Sequence, residues 1–148
     1  MKRSFLTVLV LILAGASVMT PPASAETPGE GEALAPLSGI VAFYFHGNMR
    51  CKTCRKIEAY SDEAITKGFS DELASGQFEW RVVNTDISEN EHFVTDFELV
   101  TKSVVLAEYR DGKVLRFNNL SKVWKLVRDK DDFITYVRDE TRNFIGAN

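Results

Sequence analysis

Cysteine is scarce in this chain of 148 residues: it has only two, Cys51 and Cys54. Proline is scarce as well, with four residues and none after Pro36, and the histidines are two, His46 and His92. Two cysteines cannot build a multi-disulfide scaffold, and a full zinc site would need further ligands beside them. The fold must therefore depend on a hydrophobic core.

The sequence also lacks an apolar run long enough to cross a membrane. Its longest apolar stretch, from Phe5 to Met19, has 15 residues, whereas a spanning helix needs about 20. This stretch follows Lys2 and Arg3 and precedes small residues that end at Ala25, as in a secretory signal. We predict a signal peptide over residues 1–25, a periplasmic or secreted location, and no membrane span after signal removal. A retained membrane anchor is the alternative interpretation.

Positive charge is not in excess, because 21 Asp and Glu outnumber 18 Lys and Arg and the net charge is −3. Such a protein is not suited to coating nucleic acid, so we expect no nucleic-acid partner. Residues 26–37 are rich in Pro, Gly and Glu, a composition that buries little apolar surface. We predict a flexible linker over residues 26–37 and a folded domain over residues 38–148.

The two cysteines lie three positions apart, between two different hydrophobic patterns. The apolar run Gly39 to His46 is typical of a buried strand, and from Lys52 onward the apolar residues recur at helical spacing. The sequence therefore predicts a Cys-x-x-Cys pair at the N-terminus of a helix, beside the C-terminal end of a strand.

The rest of the chain alternates between the two periodicities. We predict that the first helix ends near Gly68, followed by a capped turn at 70–76 and a strand from Phe78. Ser88 and Glu91 suggest a capping box for a short helix. Strands at 103–109 and 113–117 flank the hairpin dipeptide Asp111-Gly112, and a helix near Trp124 precedes a longer one closed by Gly146. The predicted fold is α/β, with a mixed sheet of about four strands and a C-terminal β-hairpin and helix.

With the dithiol after the first strand, this order of elements resembles the thioredoxin fold from about Ser38 to Ile145. The resemblance implies a three-layer α/β/α sandwich with a redox-active cysteine pair. The string Tyr44-Phe45-His46-Gly47-Asn48-Met49-Arg50-Cys51-Lys52-Thr53-Cys54-Arg55-Lys56-Ile57-Glu58-Ala59-Tyr60 is most similar to an exported branch, the ArsF-type nitrophenyl compound nitroreductase subunit family. No Gly-x-Gly-x-x-Gly occurs, so we expect no flavin or nicotinamide cofactor.

The cysteine pair has the residue types that thiol–disulfide exchange requires. A thiolate is the nucleophile, and lowering a thiol pKa from about 8.5 to about 7 raises its thiolate fraction at pH 7 from roughly 3% to about half. We expect Cys51 to attack and Cys54 to resolve the mixed disulfide. Four cations would stabilise the thiolate and attract an acidic partner: Arg50, Lys52, Arg55 and Lys56.

The chain departs from the thioredoxin pattern at the loop that the resemblance places opposite the dithiol. Thioredoxins have a cis-proline there, whereas this chain has Thr101, Lys102 and Ser103. A cis bond before Ser103 would cost about 3–4 kcal/mol, so we predict a trans bond and a remodelled loop. The first strand has no carboxylate that could accept a proton, and Glu58 is the candidate substitute.

Other functions use the same two cysteines. They could bind zinc or copper, with His46 as a third ligand, or they could form a structural disulfide, although closing a loop of about four residues contributes only about 2 kcal/mol. An accessory redox subunit is a further alternative. We expect the partners to be protein thiols or disulfides, including a membrane or periplasmic redox partner. The sequence leaves open whether the pair oxidises, reduces or isomerises them.

Overall fold

The computed structural model describes residues 38–147. The predicted signal peptide, the predicted linker and Asn148 lie outside the described residues. The first strand, β1 (Gly39–His46), has the predicted bounds, and its residues from Ile40 to Phe45 are all buried. A strand without a polar face must be covered on both sides, so β1 lies at the centre of the fold.

The sheet has four strands in the order β2-β1-β3-β4. β2 (Phe78–Asn84) pairs parallel to β1, whereas β3 (Ser103–Arg110) pairs antiparallel to it. β4 (Lys113–Asn119) pairs antiparallel to β3. Asp111 and Gly112 between them have φ values of 54° and 76°, the left-handed conformations that a tight hairpin turn needs. The mixed sheet and its hairpin are confirmed.

Two helices of 17 residues each are the largest elements beside the sheet: α1 (Lys52–Gly68) and α5 (Lys130–Gly146). The buried residues of α1 are Cys54, Ile57, Ser61, Ala64 and Ile65, which recur at steps of three and four and so form one face. The remaining helical elements are α2 (Ser70–Ala74), a 3-10 turn (Ser88–Asn90), α3 (His92–Asp96) and α4 (Val123–Leu126).

Helical elements cover both faces of the sheet. On one face Ala42, Tyr44 and Leu106 pack with residues of α1, α4 and α5, among them Ile57 and Phe133. The other face has an aromatic cluster, in which Phe43 and Phe45 of β1 pack against Phe93 and Phe97 from α3 and its C-terminal end. Because β-strand side chains alternate, β1 contributes to both cores. The α/β fold class is confirmed, with the sheet as the central layer.

The predicted capping box at Ser88 and Glu91 is wrong. Ser88 begins the 3-10 turn and its hydroxyl donates to the Glu89 carboxylate, while Glu91 itself immediately precedes α3, where no side-chain cap forms. The extra turn separates the serine from the helix that it was expected to cap. The peptide bond before Ser103 is trans, as are all bonds in residues 38–147.

Candidate functional site

The two cysteines lie where β1 gives way to α1 and are joined by a disulfide, with Cα atoms 5.0 Å apart. Cys51 is the N-cap of α1, and its Sγ accepts a hydrogen bond from the Cys54 backbone N–H at 3.1 Å. Cys51 is exposed, whereas Cys54 is only 2% exposed. The pair therefore has one sulfur that a partner can reach and one that lies inside the protein.

Tyr44 of β1 holds the first turn of α1 in place. It is fully buried on β1, and its hydroxyl donates to the Cys54 carbonyl oxygen at 2.8 Å. Burial raises the pKa of Tyr44, and the nearby Arg50 charge acts in the opposite direction. A protonated phenol can keep donating this hydrogen bond, so the helix N-terminus is held to the central strand.

The structure brings three of the predicted site residues together. Arg50 forms an ion pair with Glu58, and its Nη1 lies 3.3 Å from His46 Nε2. His46 Nδ1 lies 3.0 Å from the Gly47 carbonyl, so Nδ1 carries the proton and Nε2 accepts from Arg50. Burial lowers the pKa of His46, opposed by the Gly47 hydrogen bond and reinforced by the Arg50 charge. The charge of Arg50 is thus largely compensated by Glu58.

The other three predicted cations remain in solvent. Lys52, Arg55 and Lys56 are exposed in the first turns of α1, and none of them takes part in the ion pairs found among residues 38–147. They follow directly after Cys51. Of the four predicted cations, three are therefore unpaired and one, Arg50, is paired.

The loop that leads into Cys51, residues 47–50, is held by the end of β2. We call it the dithiol loop. Asp86 accepts a hydrogen bond from the Asn48 backbone N–H at 2.7 Å, and the Asn84 amide donates to Asn48 Oδ1 at 2.8 Å. A Cβ on Gly47 would lie 2.7 Å from Asp86 Oδ2. Glycine at 47 therefore allows the carboxylate to approach the backbone.

A second loop, residues 99–102, leads into β3. We call it the facing loop, because it lines one cavity together with His46, Gly47 and Met49. The indole N–H of Trp124 donates to the Lys102 carbonyl at 2.9 Å, and the Ser103 hydroxyl donates to the Thr101 carbonyl at 2.9 Å. Thr101 is exposed, Lys102 half-buried and Ser103 buried. Side chains outside the loop thus hold it in the absence of a proline.

The cavity between the two loops has a volume of ≈ 290 Å³, and its lining does not include Cys51 or Cys54. Two of its lining residues are strongly exposed apolar side chains, Met49 at 81% and Val100 at 96%. Such exposure of two large apolar groups around one cavity offers a contact area for another molecule.

Among residues 38–147, no group of three or more His, Cys, Asp or Glu side chains is close enough to hold a metal ion. His46, the predicted third ligand, already uses both ring nitrogens in hydrogen bonds. The same range contains no helix long and apolar enough to span a bilayer.

Sequence reasoning missed Tyr44, Gly47, Asn84 and Asp86, and it used Trp124 only to mark a helix. Trp124 packs against the core, and its N–H also holds the facing loop. A signal for Asp86 was present: the polar string Asn84-Thr85-Asp86 ends β2, and parallel neighbours such as β1 and β2 end at the same edge of a sheet. No protein-family model matches this chain, and no curated protein matches it either.

Proposed function

We propose that this protein is an exported thiol–disulfide oxidoreductase of the thioredoxin type. The observation that supports this most directly is the disulfide between an exposed Cys51 at a helix N-terminus and a buried Cys54. The strand order and the place of the pair after β1 support the thioredoxin resemblance, and the secretory pattern of residues 1–25 supports export to a compartment where disulfides persist.

The reaction needs only the two sulfurs and a substrate dithiol. A substrate thiolate attacks Cys51 Sγ, the Cys51–Cys54 bond breaks, and its electron pair goes to Cys54 Sγ, which takes up a proton. The second thiolate of the substrate then attacks the substrate sulfur that is bonded to Cys51. This step forms the substrate disulfide and releases Cys51. The substrate loses two electrons and two protons, and the protein dithiol gains them; the reverse sequence reduces a substrate disulfide.

The surroundings favour Cys51 as the attacked and attacking sulfur. Its exposure gives a partner access, and the unpaired N–H groups at the start of α1 place partial positive charge beside it. The exposed cations Lys52, Arg55 and Lys56 act in the same direction. Cys54 cannot be reached from solvent, so it is suited to resolving the mixed disulfide.

Equilibration of the purified protein in glutathione buffers of graded potential, followed by alkylation and mass measurement, tests this proposal. We expect a single transition between the dithiol and the disulfide. Cys54→Ser should accumulate a mixed disulfide with substrate or glutathione, and Cys51→Ser should not. A pair that stays oxidised or reduced at every accessible potential contradicts the proposal. Stoichiometric zinc or copper in protein purified without chelator, lost in Cys51→Ser, would instead establish the metal-binding alternative.

A further inference from the structure

The three free cations of α1 form one surface beside the reactive sulfur. Lys52, Arg55 and Lys56 are spaced at steps of three and four, so they lie on the same side of the helix. We call these three residues the cationic face. All three are exposed and take part in none of the ion pairs in the described part of the chain.

The cationic face differs from the neighbouring cations Arg50 and Lys67, which are paired. The whole chain carries a net charge of −3, and Lys67 of α1 and Lys130 of α5 both contact Glu63. Arg50, the cation nearest to Cys51 in the preceding loop, is paired with Glu58. Other exposed cations without an ion pair lie elsewhere in residues 38–147, among them Arg110, Lys113 and Lys125. The cationic face is the group that immediately follows the exposed cysteine in the chain.

The dithiol loop, which precedes Cys51 in the chain, exposes an apolar side chain and has no unpaired cation. Met49 precedes the cysteine by two positions, and it borders the cavity shared with Val100, the most exposed of the large apolar side chains. A molecule that binds at Cys51 can therefore contact Met49, which precedes the cysteine in the chain, and the cationic face, which follows it.

Resting on the proposed function, we infer that the redox partner is a protein whose cysteine lies in an acidic segment, and that the cationic face binds its carboxylates. Opposite charges at the rim of an interface mainly accelerate association, and steering of this kind raises rates by about tenfold or more at low salt. Arg50 takes no part in this steering, because its charge is already compensated.

Three short disulfide peptides that differ only in flanking residues test the inference. One carries glutamates beside its cysteines, one glutamines and one lysines, and the second-order rate constant of each with the reduced full-length protein is measured by stopped flow. At low salt the acidic peptide should react about tenfold faster than the neutral one and the basic peptide slowest. The differences should largely vanish at about 0.5 M salt, because exposed charges are then screened.

A triple variant, Lys52→Gln with Arg55→Gln and Lys56→Gln, should bring the ratio of acidic to neutral rates close to one. The ratio is the readout, since these substitutions also change the reactivity of Cys51 toward every peptide. A matched control removes one arginine and two lysines that are exposed elsewhere, Arg110→Gln with Lys113→Gln and Lys125→Gln. It should keep the tenfold preference.

The outcomes separate the inference from the function on which it rests. If no peptide reacts, the proposed function fails. If all three react at one rate, or if the triple variant and the control behave alike, thiol exchange stands and the acidic partner is overturned. Equal peptide rates combined with binding to phosphatidylglycerol vesicles, lost in the triple variant, would assign the cationic face to an anionic membrane and also overturn the inference.

Discussion

The dithiol loop and the facing loop border the same cavity but are fixed by different kinds of contact. A carboxylate from the end of β2 binds the backbone of the dithiol loop at 2.7 Å, and Gly47 is buried against it. The facing loop is held at one end by neutral hydrogen bonds from Trp124 and Ser103, while Val100 in its middle is 96% exposed. The loop that leads into Cys51 is fixed by a carboxylate, and the loop opposite is fixed by neutral hydrogen bonds. Each leaves one apolar side chain exposed, Met49 and Val100 respectively.

Gly47→Ala, in the dithiol loop, should have the largest effect on stability. The new Cβ would lie 2.7 Å from Asp86 Oδ2, and moving Asp86 away would break its bond to Asn48. Forcing a methyl group into a close contact costs about 1–3 kcal/mol of unfolding free energy. Urea unfolding measures it, with Gly146→Ala as the control, because a Cβ there meets nothing within 4 Å. Equal stability of the two variants would contradict the predicted clash.

Asp86→Ala should loosen the dithiol loop without a clash. Removing a charged acceptor from a backbone N–H costs about 1–2 kcal/mol at a site as exposed as this one. The freed loop should also slow closure of the Cys51–Cys54 disulfide after reduction, because the two sulfurs are no longer held together. Asp86→Asn keeps an oxygen acceptor for Asn48 and should restore most of the closure rate. Unchanged closure in Asp86→Ala would show that the loop does not depend on this carboxylate.

Trp124→Phe should make the facing loop more mobile. The substitution keeps an aromatic ring in the core but removes the donor to the Lys102 carbonyl, a loss of about 0.5–1.5 kcal/mol. Amide hydrogen exchange in residues 99–103 should accelerate, while exchange in residues 47–50 should not change. Trp80→Phe is the matched control, since its N–H donates to Asp62 and not to either loop. Faster exchange in both loops would mean that they are not held independently.

His46→Gln should have a smaller effect on stability, and this effect should depend on pH. Burial lowers the pKa of His46; the Arg50 and Lys102 charges lower it further, and the Gly47 hydrogen bond and Asp86 raise it. The unfolded chain therefore binds more protons near the ordinary histidine pKa, and the contribution of His46 to stability, present above about pH 6.5, is lost as the pH falls through its folded value.

Thermal unfolding between about pH 5 and pH 7 measures this difference. The melting temperature of the wild type should fall more steeply on acidification than that of His46→Gln, whose amide oxygen can still accept from Arg50. A parallel decline of the wild type and His46→Gln would contradict a neutral, hydrogen-bonded His46.

The elements that were predicted correctly are those with strong local signals. β1 and α1 have their predicted bounds, since an uninterrupted apolar run and a three-and-four repeat each have one interpretation. The Asp111-Gly112 turn was equally local, because those two residues must adopt the left-handed conformation. The predicted capping box at Ser88 was wrong because the 3-10 turn and the start of α3 lie in the same short polar segment. Residue spacing alone does not show which of the two begins at Ser88.

The site was only partly predictable, for a related reason. Cys51, Cys54 and the exposed cations are adjacent in the chain, so their chemistry could be read as one motif. Asp86 lies 38 positions from the Asn48 backbone that it binds, and the two residues meet only because β1 and β2 run parallel and end at one edge. Which of the four cations pairs with Glu58 was also left open by the sequence, because the direction of a long side chain depends on what packs around it.

The sequence by itself determined the nature of the reactive pair, the alternation of strands and helices, and the charges beside the cysteines, because each of these depends on residues close together in the chain. Only the tertiary structure decided which cation is compensated and which side chains hold the two loops. Those outcomes depend on burial and on contacts between distant segments, and they arise when the sheet brings the ends of its strands together.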